Sequence, residues 1–535
     1  MKTSKKWLNM SFALILTMVL VLAGCSSSSE TSKETNSNNN STGNNTNKVK
    51  VLKVAMPGNA TRLDPAFAAS APDLTVNQTL YNGLVRFKPG TVSIDGIEGD
   101  LAESWETSDD GTVWTFKLRK GVQWHFGYGE LKAADVKWTY ERLLNPETGS
   151  PYLEDLKVIK EIQTPDDYTV VFHLHRPDPS FLPRLLGDDS AGAIVKKEAI
   201  EEAGKDSMVK PVGTGPFMLK EYKLNEKVVL EKNKDFFRGE PKLDGIEFIT
   251  MTEQNAVDIA MEKGEIHMAT GNADKLWVEK TEKKDFTIEY PDPPLNWLLH
   301  LDSTIKPLDD IRVRKAVAHA IDMERFVKEV YTPKVATLAS GPLASNMEGH
   351  ADLGNYKYDP ELSKKLLKEA GYPNGLELPP NFVNTRSSYL NQMTFIQEQL
   401  RQVGIKMELK QADIPTYQAN IRKGLNNISL YTKNFKPHAA FPANYFFHTG
   451  SIGKTNFSKY DKSDSLIEQA AQEMDPKKSK ELYEELQKQI MDNYSIIPLI
   501  ETKSILFRRP EVKLGYDFKG TFVYSYPIYE TTDIE

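Results

Sequence analysis

Pro211-Val212-Gly213-Thr214-Gly215-Pro216-Phe217 is the stretch on which the reading of this chain turns. Its two glycines around a threonine suggest a phosphate-binding loop. It fails that test, because no Gly-Lys-Ser/Thr follows, Pro216 removes a backbone donor, and what comes next reads as strand. Residues 217–222 and 227–231 alternate apolar and polar side chains, as half-buried strands do. The expectation is a tight turn between strands.

Outward from there the chain is punctuated clearly. Residues 51–56 (Val-Leu-Lys-Val-Ala-Met) predict a largely buried first strand closed by Pro57-Gly58. Asp110-Gly111 signals a turn into a strand at 112–119; residues 134–140 read as a helix and 168–175 as a strand. From Asp309 or Asp310, a helix is expected with Val313, Val317, Ala320, Ile321, Val327 and Val330 on one face. Asp359-Pro360 opens another, lined by Leu362, Leu366 and Ala370 and ended by Gly371. A helix over 388–403, a strand over 405–410 and a helix from Asp475-Pro476 to about Asn493 follow. Helices alternating with short strands place the chain in the α/β class.

Composition bounds the function. The chain has 535 residues, enough for at least two domains, and a formal charge of −7, which argues against a nucleic-acid partner. Cys25 is the single cysteine, so the body has no disulfide, thiolate metal site or thiol nucleophile. No His-Glu-x-x-His, Gly-x-Ser-x-Gly or Gly-x-Gly-x-x-Gly occurs, and an enzyme is not expected. His173 and His175 share a strand face, read as solvated; His438 and His448 are read as hydrogen-bonding groups and not as metal ligands.

Lys2, Lys5 and Lys6 precede an apolar run that ends in Leu22-Ala23-Gly24-Cys25, followed by serines. This resembles the lipobox of bacterial lipoproteins. The resemblance implies that residues 1–24 are a signal peptide, that Cys25 is lipidated, and that acyl chains hold the protein on the outer face of the cell membrane. Residues 26–48, rich in Ser, Asn and Thr, read as a disordered tether. No later segment reaches the ~20 apolar residues that a membrane span needs.

A wider resemblance rests on several motifs together. They are Leu63-Asp64-Pro65, Tyr81-Asn82-Gly83-Leu84, Gly111-Thr112-Val113-Trp114-Thr115-Phe116-Lys117-Leu118-Arg119-Lys120-Gly121-Val122, the 211–217 stretch, Asn233-Lys234-Asp235-Phe236-Phe237-Arg238-Gly239, and Asp310-Ile311-Arg312-Val313-Arg314-Lys315-Ala316 leading to Ala320-Ile321-Asp322. In this order they resemble the extracellular solute-binding proteins of ABC importers, in the oligopeptide, dipeptide and nickel family. That resemblance implies a two-lobed α/β fold of the periplasmic-binding-protein type. The first lobe would comprise 49–83, 193–289 and 504–535, with a subdomain inserted at 84–192; the second lobe would be 290–503. It also implies a monomer without cofactor, served by an ABC permease and its ATPase subunits.

The ligand site is expected in the second lobe. Peptide-binding relatives hold the ligand amine with an acid in a stretch that corresponds here to Leu430-Tyr431-Thr432-Lys433-Asn434-Phe435-Lys436-Pro437, where both aspartates are missing. Lysines facing the cleft would favour a carboxylate or phosphate; alternatively Asp413 serves the amine. Arg386 matches the arginine that dipeptide-binding relatives use for a carboxylate, a task suited to its planar fork of donors. Trp297, Tyr389, Tyr417, Tyr431 and Phe435 are candidates for stacking on the ligand, beside Lys433 and Asn434. A peptide or peptide-like solute is the main expectation. An anionic metal–chelator complex held by Arg386, Lys433, Lys436 and His438 is the alternative, and a peptide-pheromone receptor a third reading.

Overall fold

An apolar run with almost no polar interruption needs partners on both sides, and strand Val51–Met56 has them. It lies parallel to Gly245–Thr250 on one side and Met268–Thr270 on the other. A computed structural model describes residues 49–188, 190–204, 211–520 and 526–535; the leader, Cys25 and the tether lie outside the described residues. The first sheet runs in the order Thr287–Glu289, Leu506–Arg508, Met268–Thr270, Val51–Met56, Gly245–Thr250, Lys227–Lys232, Phe217–Lys223. A strand from near the C-terminal end, Leu506–Arg508, thus completes a sheet begun by the chain's first strand.

The second lobe is built on an antiparallel sheet ordered Ala336–Leu338, Ile496–Thr502, Leu295–Leu301, Ile428–Asn434. A parallel pair, Leu376–Asn384 with Ile405–Ala412, packs beside it. The inserted subdomain carries an antiparallel sheet ordered Ala102–Thr107, Val113–Leu118, Thr169–Leu174, Ile159–Asp166, covered by helix Ala133–Leu144. Between lobes the chain crosses at 290–294 and returns at 503–505. The crossings run side by side, with Ser504 N–H on the Pro291 carbonyl at 3.0 Å, and the return is held to the first lobe by Gly271 N–H on the Ile505 carbonyl at 2.8 Å. Among the described residues no helix is long and apolar enough to cross a membrane.

Several of the motifs that carry the resemblance converge where the inserted subdomain meets the first lobe, while the 310–322 motif lies in the second-lobe core. The buried Asp100 carboxylate accepts from the Asn82 amide, the Gly83 N–H and Arg238, and Thr214 donates to the Asn82 carbonyl oxygen. Asp64, also buried, takes a two-pronged bond from Arg142. Here the 211–217 stretch departs from expectation. It is not a turn between two strands but an extended segment, downstream of helix Lys197–Ala203, that enters strand Phe217–Lys223. Its glycines serve close approach: a side-chain carbon at Gly213 would lie 2.0 Å from the Leu80 carbonyl oxygen. His125 clamps it, Nδ1 accepting from Gly213 N–H at 3.3 Å and Nε2 bonding the Gly215 carbonyl at 2.9 Å.

Two further expectations change. The helix expected from Asp309 is two helices, Ile311–His319 and Met323–Val330, because Asp322 turns its carboxylate onto the Arg325 N–H and caps a second start. Helix Pro360–Glu369 buries Ser363 and Leu367, with Leu366 and Ala370 only at the margin; the Ser363 hydroxyl bonds the Ala316 carbonyl, which satisfies a polar group in an apolar interface. The Asp-Pro starts hold: Asp359 and Asp475 cap their helices with proline in the first turn.

Candidate ligand-binding site

Strand Ile428–Asn434 is the outer edge of the second-lobe sheet. Phe435 N–H bonds the Pro294 carbonyl, so in the antiparallel register Tyr431 and Lys433 turn their main-chain groups toward Leu295–Leu301. Those of Leu430, Thr432 and Asn434 point off the sheet. Two outward groups have partners: Tyr417 donates its hydroxyl to the Leu430 carbonyl at 2.5 Å, and Ile428 N–H bonds Asn381 Oδ1 at 3.2 Å. Farther along, toward the crossing, Thr432 and Asn434 continue this outward-facing edge.

Aromatic rings line this edge. Trp297 fixes its indole N–H on Thr502 Oγ1 at 3.0 Å and meets Tyr389 edge-on at 4.9 Å; Tyr389 in turn meets Tyr417 at 5.8 Å. Trp297 and Tyr417 are buried, Tyr417 only 2% exposed with its hydroxyl pKa raised by burial, so both act as backing for the half-buried Tyr389. Tyr431 is likewise buried, against Phe446 and Phe457, its hydroxyl 3.3 Å from that of Tyr445. Phe435 packs on Tyr445 and Phe446. Lys433 is exposed, its Nζ 4.6 Å from the Tyr445 ring centre and 5.8 Å from that of Phe435. Asn434 is half-buried at the end of the strand.

Arg386 is exposed at the start of helix Ser387–Gln402, which also carries Tyr389. Asn384 sets the turn by accepting the Arg386 N–H at 2.9 Å. Asp413 is committed elsewhere: it caps helix Ile414–Arg422, and bonds from Thr416 hold its carboxyl below the usual range. Lys436 is buried and reaches the Arg184 carbonyl of the inserted subdomain at 3.4 Å. His438 is buried beside it, its pKa pushed down to about 4 by burial, with Nδ1 accepting the Ala440 N–H. His448 caps a short turn through Nδ1, with Glu468 3.5 Å from Nε2. Among the described residues no group of three or more His, Cys, Asp or Glu is placed to hold a metal ion.

At the crossing lies a cavity of about 220 Å³ that the sequence did not disclose. The first lobe contributes Pro57, Thr270, Gly271 and Ala273; the second contributes Leu295 and Thr502, and the return crossing Lys503, Ser504 and Ile505. It sits beyond the carboxyl ends of the parallel strands Val51–Met56 and Met268–Thr270, where open α/β sheets bind ligands. The signal in the sequence was weak: Pro57-Gly58 reads only as a strand end.

Comparison with known proteins agrees with this geometry. A family model described as bacterial extracellular solute-binding proteins, family 5 Middle, matches residues 96–456. The dipeptide-binding protein of Escherichia coli K12 is 30% identical over 503 residues, spanning 88% of this chain and 92% of its own. Among solved structures, MoaA of A. tumefaciens R10 in complex with mannopinic acid is 35% identical with a TM-score of 0.82, covering 91% of this chain and 100% of that one. DppA of Helicobacter pylori, bound to the peptide STSA, is 28% identical with a TM-score of 0.78, covering 91% and 98%. With its two lobes, inserted subdomain and cleft at the crossings, this chain belongs to the family 5 bacterial extracellular solute-binding proteins.

Proposed function

We propose that the chain is the membrane-anchored receptor of an ABC importer. It takes a peptide or peptide-like acid between its lobes and presents it to the permease. The anchor is the acylated Cys25, the tether is 26–48, the hinge lies at about 290 and 503, and the working unit is a monomer. The carrying observation is the charge of the second-lobe wall: Lys433 lies on the outer strand and Arg386 starts the neighbouring helix, while Asp413 is spent on a cap. Such a wall favours a carboxylate over a free ammonium group. The relatives' ligands, the peptide STSA and mannopinic acid, fit a peptide-like acid. A metal–chelator complex is less well supported, because His438 is buried with Nδ1 engaged.

The test pairs native mass spectrometry of protein from its own host, to identify the solute, with calorimetry on Arg386→Ala and Arg386→Lys. If Arg386 grips a carboxylate, alanine weakens binding by about 2–5 kcal/mol, and lysine, which lacks the fork, restores only part. Unchanged affinity in both variants would remove Arg386 from the site.

A further inference from the structure

The cavity at the crossing has a chemical character of its own. Its hydroxyls come from Thr270 on the first lobe, Thr502 on the second and Ser504 on the return crossing, and among the described residues Lys503 is the one charged residue in its lining. At about 220 Å³ it falls below the ~300–1,000 Å³ of pockets that hold a whole drug-sized ligand, so it suits one group of a larger solute. The Lys503 backbone is fixed, its N–H on the Val335 carbonyl at 2.7 Å and the next N–H on Pro291. Its ammonium is not tightly held: Asp292 lies 3.7 Å away, beyond ordinary hydrogen-bond length, and both side chains are about one-third exposed, at 35% and 37%. The neighbouring Glu501 carboxylate is taken by the Ser345 N–H and hydroxyl at 3.1 and 2.6 Å.

We propose that this cavity is a subsite of the ligand cleft and that Lys503 is its counter-ion, receiving a second acidic group of the solute, distinct from the one at Arg386. An anion there would be donated to by Lys503 and by hydroxyls from both sides of the hinge. It would displace a loose ion pair and not a tight one. Because Thr270 belongs to the first lobe and Thr502 to the second, with Lys503 between them, occupancy ties the lobes together and specifies an acidic solute in one step. Burial holds the Asp292 carboxyl above its usual range, and the Lys503 ammonium draws it back only in part.

The inference rests on the reading of the chain as a peptide-type receptor, and the test separates the two. The full chain in detergent is titrated calorimetrically with dipeptides that differ only in Glu for Gln at each position. The Glu member is expected to bind about tenfold tighter, the effect of one charge-assisted hydrogen bond. Lys503→Met should abolish that preference, Asp292→Asn should keep or enlarge it, and Arg386→Ala should weaken both members alike. A preference absent from the unmodified chain, or surviving Lys503→Met, overturns the subsite. So does equal weakening of both members by Lys503→Met and Asp292→Asn, the mark of a merely structural ion pair. If no dipeptide binds the unmodified chain, the peptide-receptor reading falls, and the subsite falls with it.

Discussion

Phe441→Leu is the substitution that best tests how the lobes are held together. Phe441 stands where the second lobe meets the inserted subdomain. The Arg184 guanidinium lies 5.0 Å from its ring centre and the Lys436 ammonium 5.5 Å. Arg184 is rigid, its Nε on Asp178 at 2.9 Å and its amino groups on the Asp155 carbonyl and the Ser180 hydroxyl. Each cation–ring contact contributes about 0.5–1 kcal/mol when exposed and ~2 when desolvated. Leucine keeps the apolar contact and removes only the ring's electrostatic face; Lys436 shares the second lobe with Phe441, so what closure loses is the contact to the largely buried Arg184, about 1–2 kcal/mol. Contacts made only when the lobes are together add to the free energy of ligand binding. The variant should therefore bind its solute roughly 5- to 30-fold more weakly. Calorimetry reads the affinity, and small-angle scattering should show a more open ligand-free ensemble. Unchanged affinity together with an unchanged scattering profile would refute the reasoning, because the contact would then survive opening or be worth nothing.

Cys25→Ser is expected to leave the fold intact and move the protein from the membrane fraction to the medium, since anchoring depends on the acyl chains; an immunoblot of the two fractions after a high-salt wash checks it. His300 is fully buried between Phe446 and Phe457, with no hydrogen-bond partner for either nitrogen among the described residues, and burial pushes its pKa down from 6.5 to about 3. The unfolded chain therefore takes a proton below 6.5 that the folded chain refuses. Stability is full above that pH and falls by about 1.4 kcal/mol per unit as pH drops toward 3. His300→Phe should flatten the urea-melt stability profile between pH ~6 and ~4.5 by that slope, while His438 keeps a slope of its own; an unaltered profile would mean that His300 is not shielded as described.

Much of the fold was legible because local signals and tertiary demands agree. Strand Val51–Met56 is bounded where its apolar run meets Pro57-Gly58, and Asp475-Pro476 marks the start of an 18-residue helix because the cap and the proline both belong there. What was not legible depends on partners far along the chain. Gly213 reads as a turn glycine, yet what requires it is the carbonyl of Leu80. The periodic run after Asp310 conceals the break at Asp322, since both helices face one core. At the site, Arg386 and Lys433 stood out only through the resemblance, as the positions matching the relatives' ligand-binding stretches. Whether an aromatic residue lines a cleft or backs it turns on packing that no period encodes: Tyr417 and Tyr431 commit their hydroxyls inside the protein, while Tyr389 is left half-buried. Lys503 carried no signal at all, because its role comes from the meeting of the two crossings.

The position of strand Leu506–Arg508 bears on when the molecule can finish folding. It is wedged between Met268–Thr270 and Thr287–Glu289, antiparallel to both, and the same C-terminal region pairs Val512–Lys513 with Asp533–Ile534. Until the last thirty or so residues arrive, the first-made sheet keeps two open edges where that strand belongs. Pairings this distant in sequence form slowly, because a long loop must close before any contact rewards it. A chain made from its N-terminus thus keeps the first-lobe sheet incomplete until strand Leu506–Arg508 is available. The second-lobe sheet, drawn from strands between Leu295 and Thr502, would have time to organise alone. The architecture that threads the chain out of the first lobe and back also delays that lobe's closure until its late strand is in place.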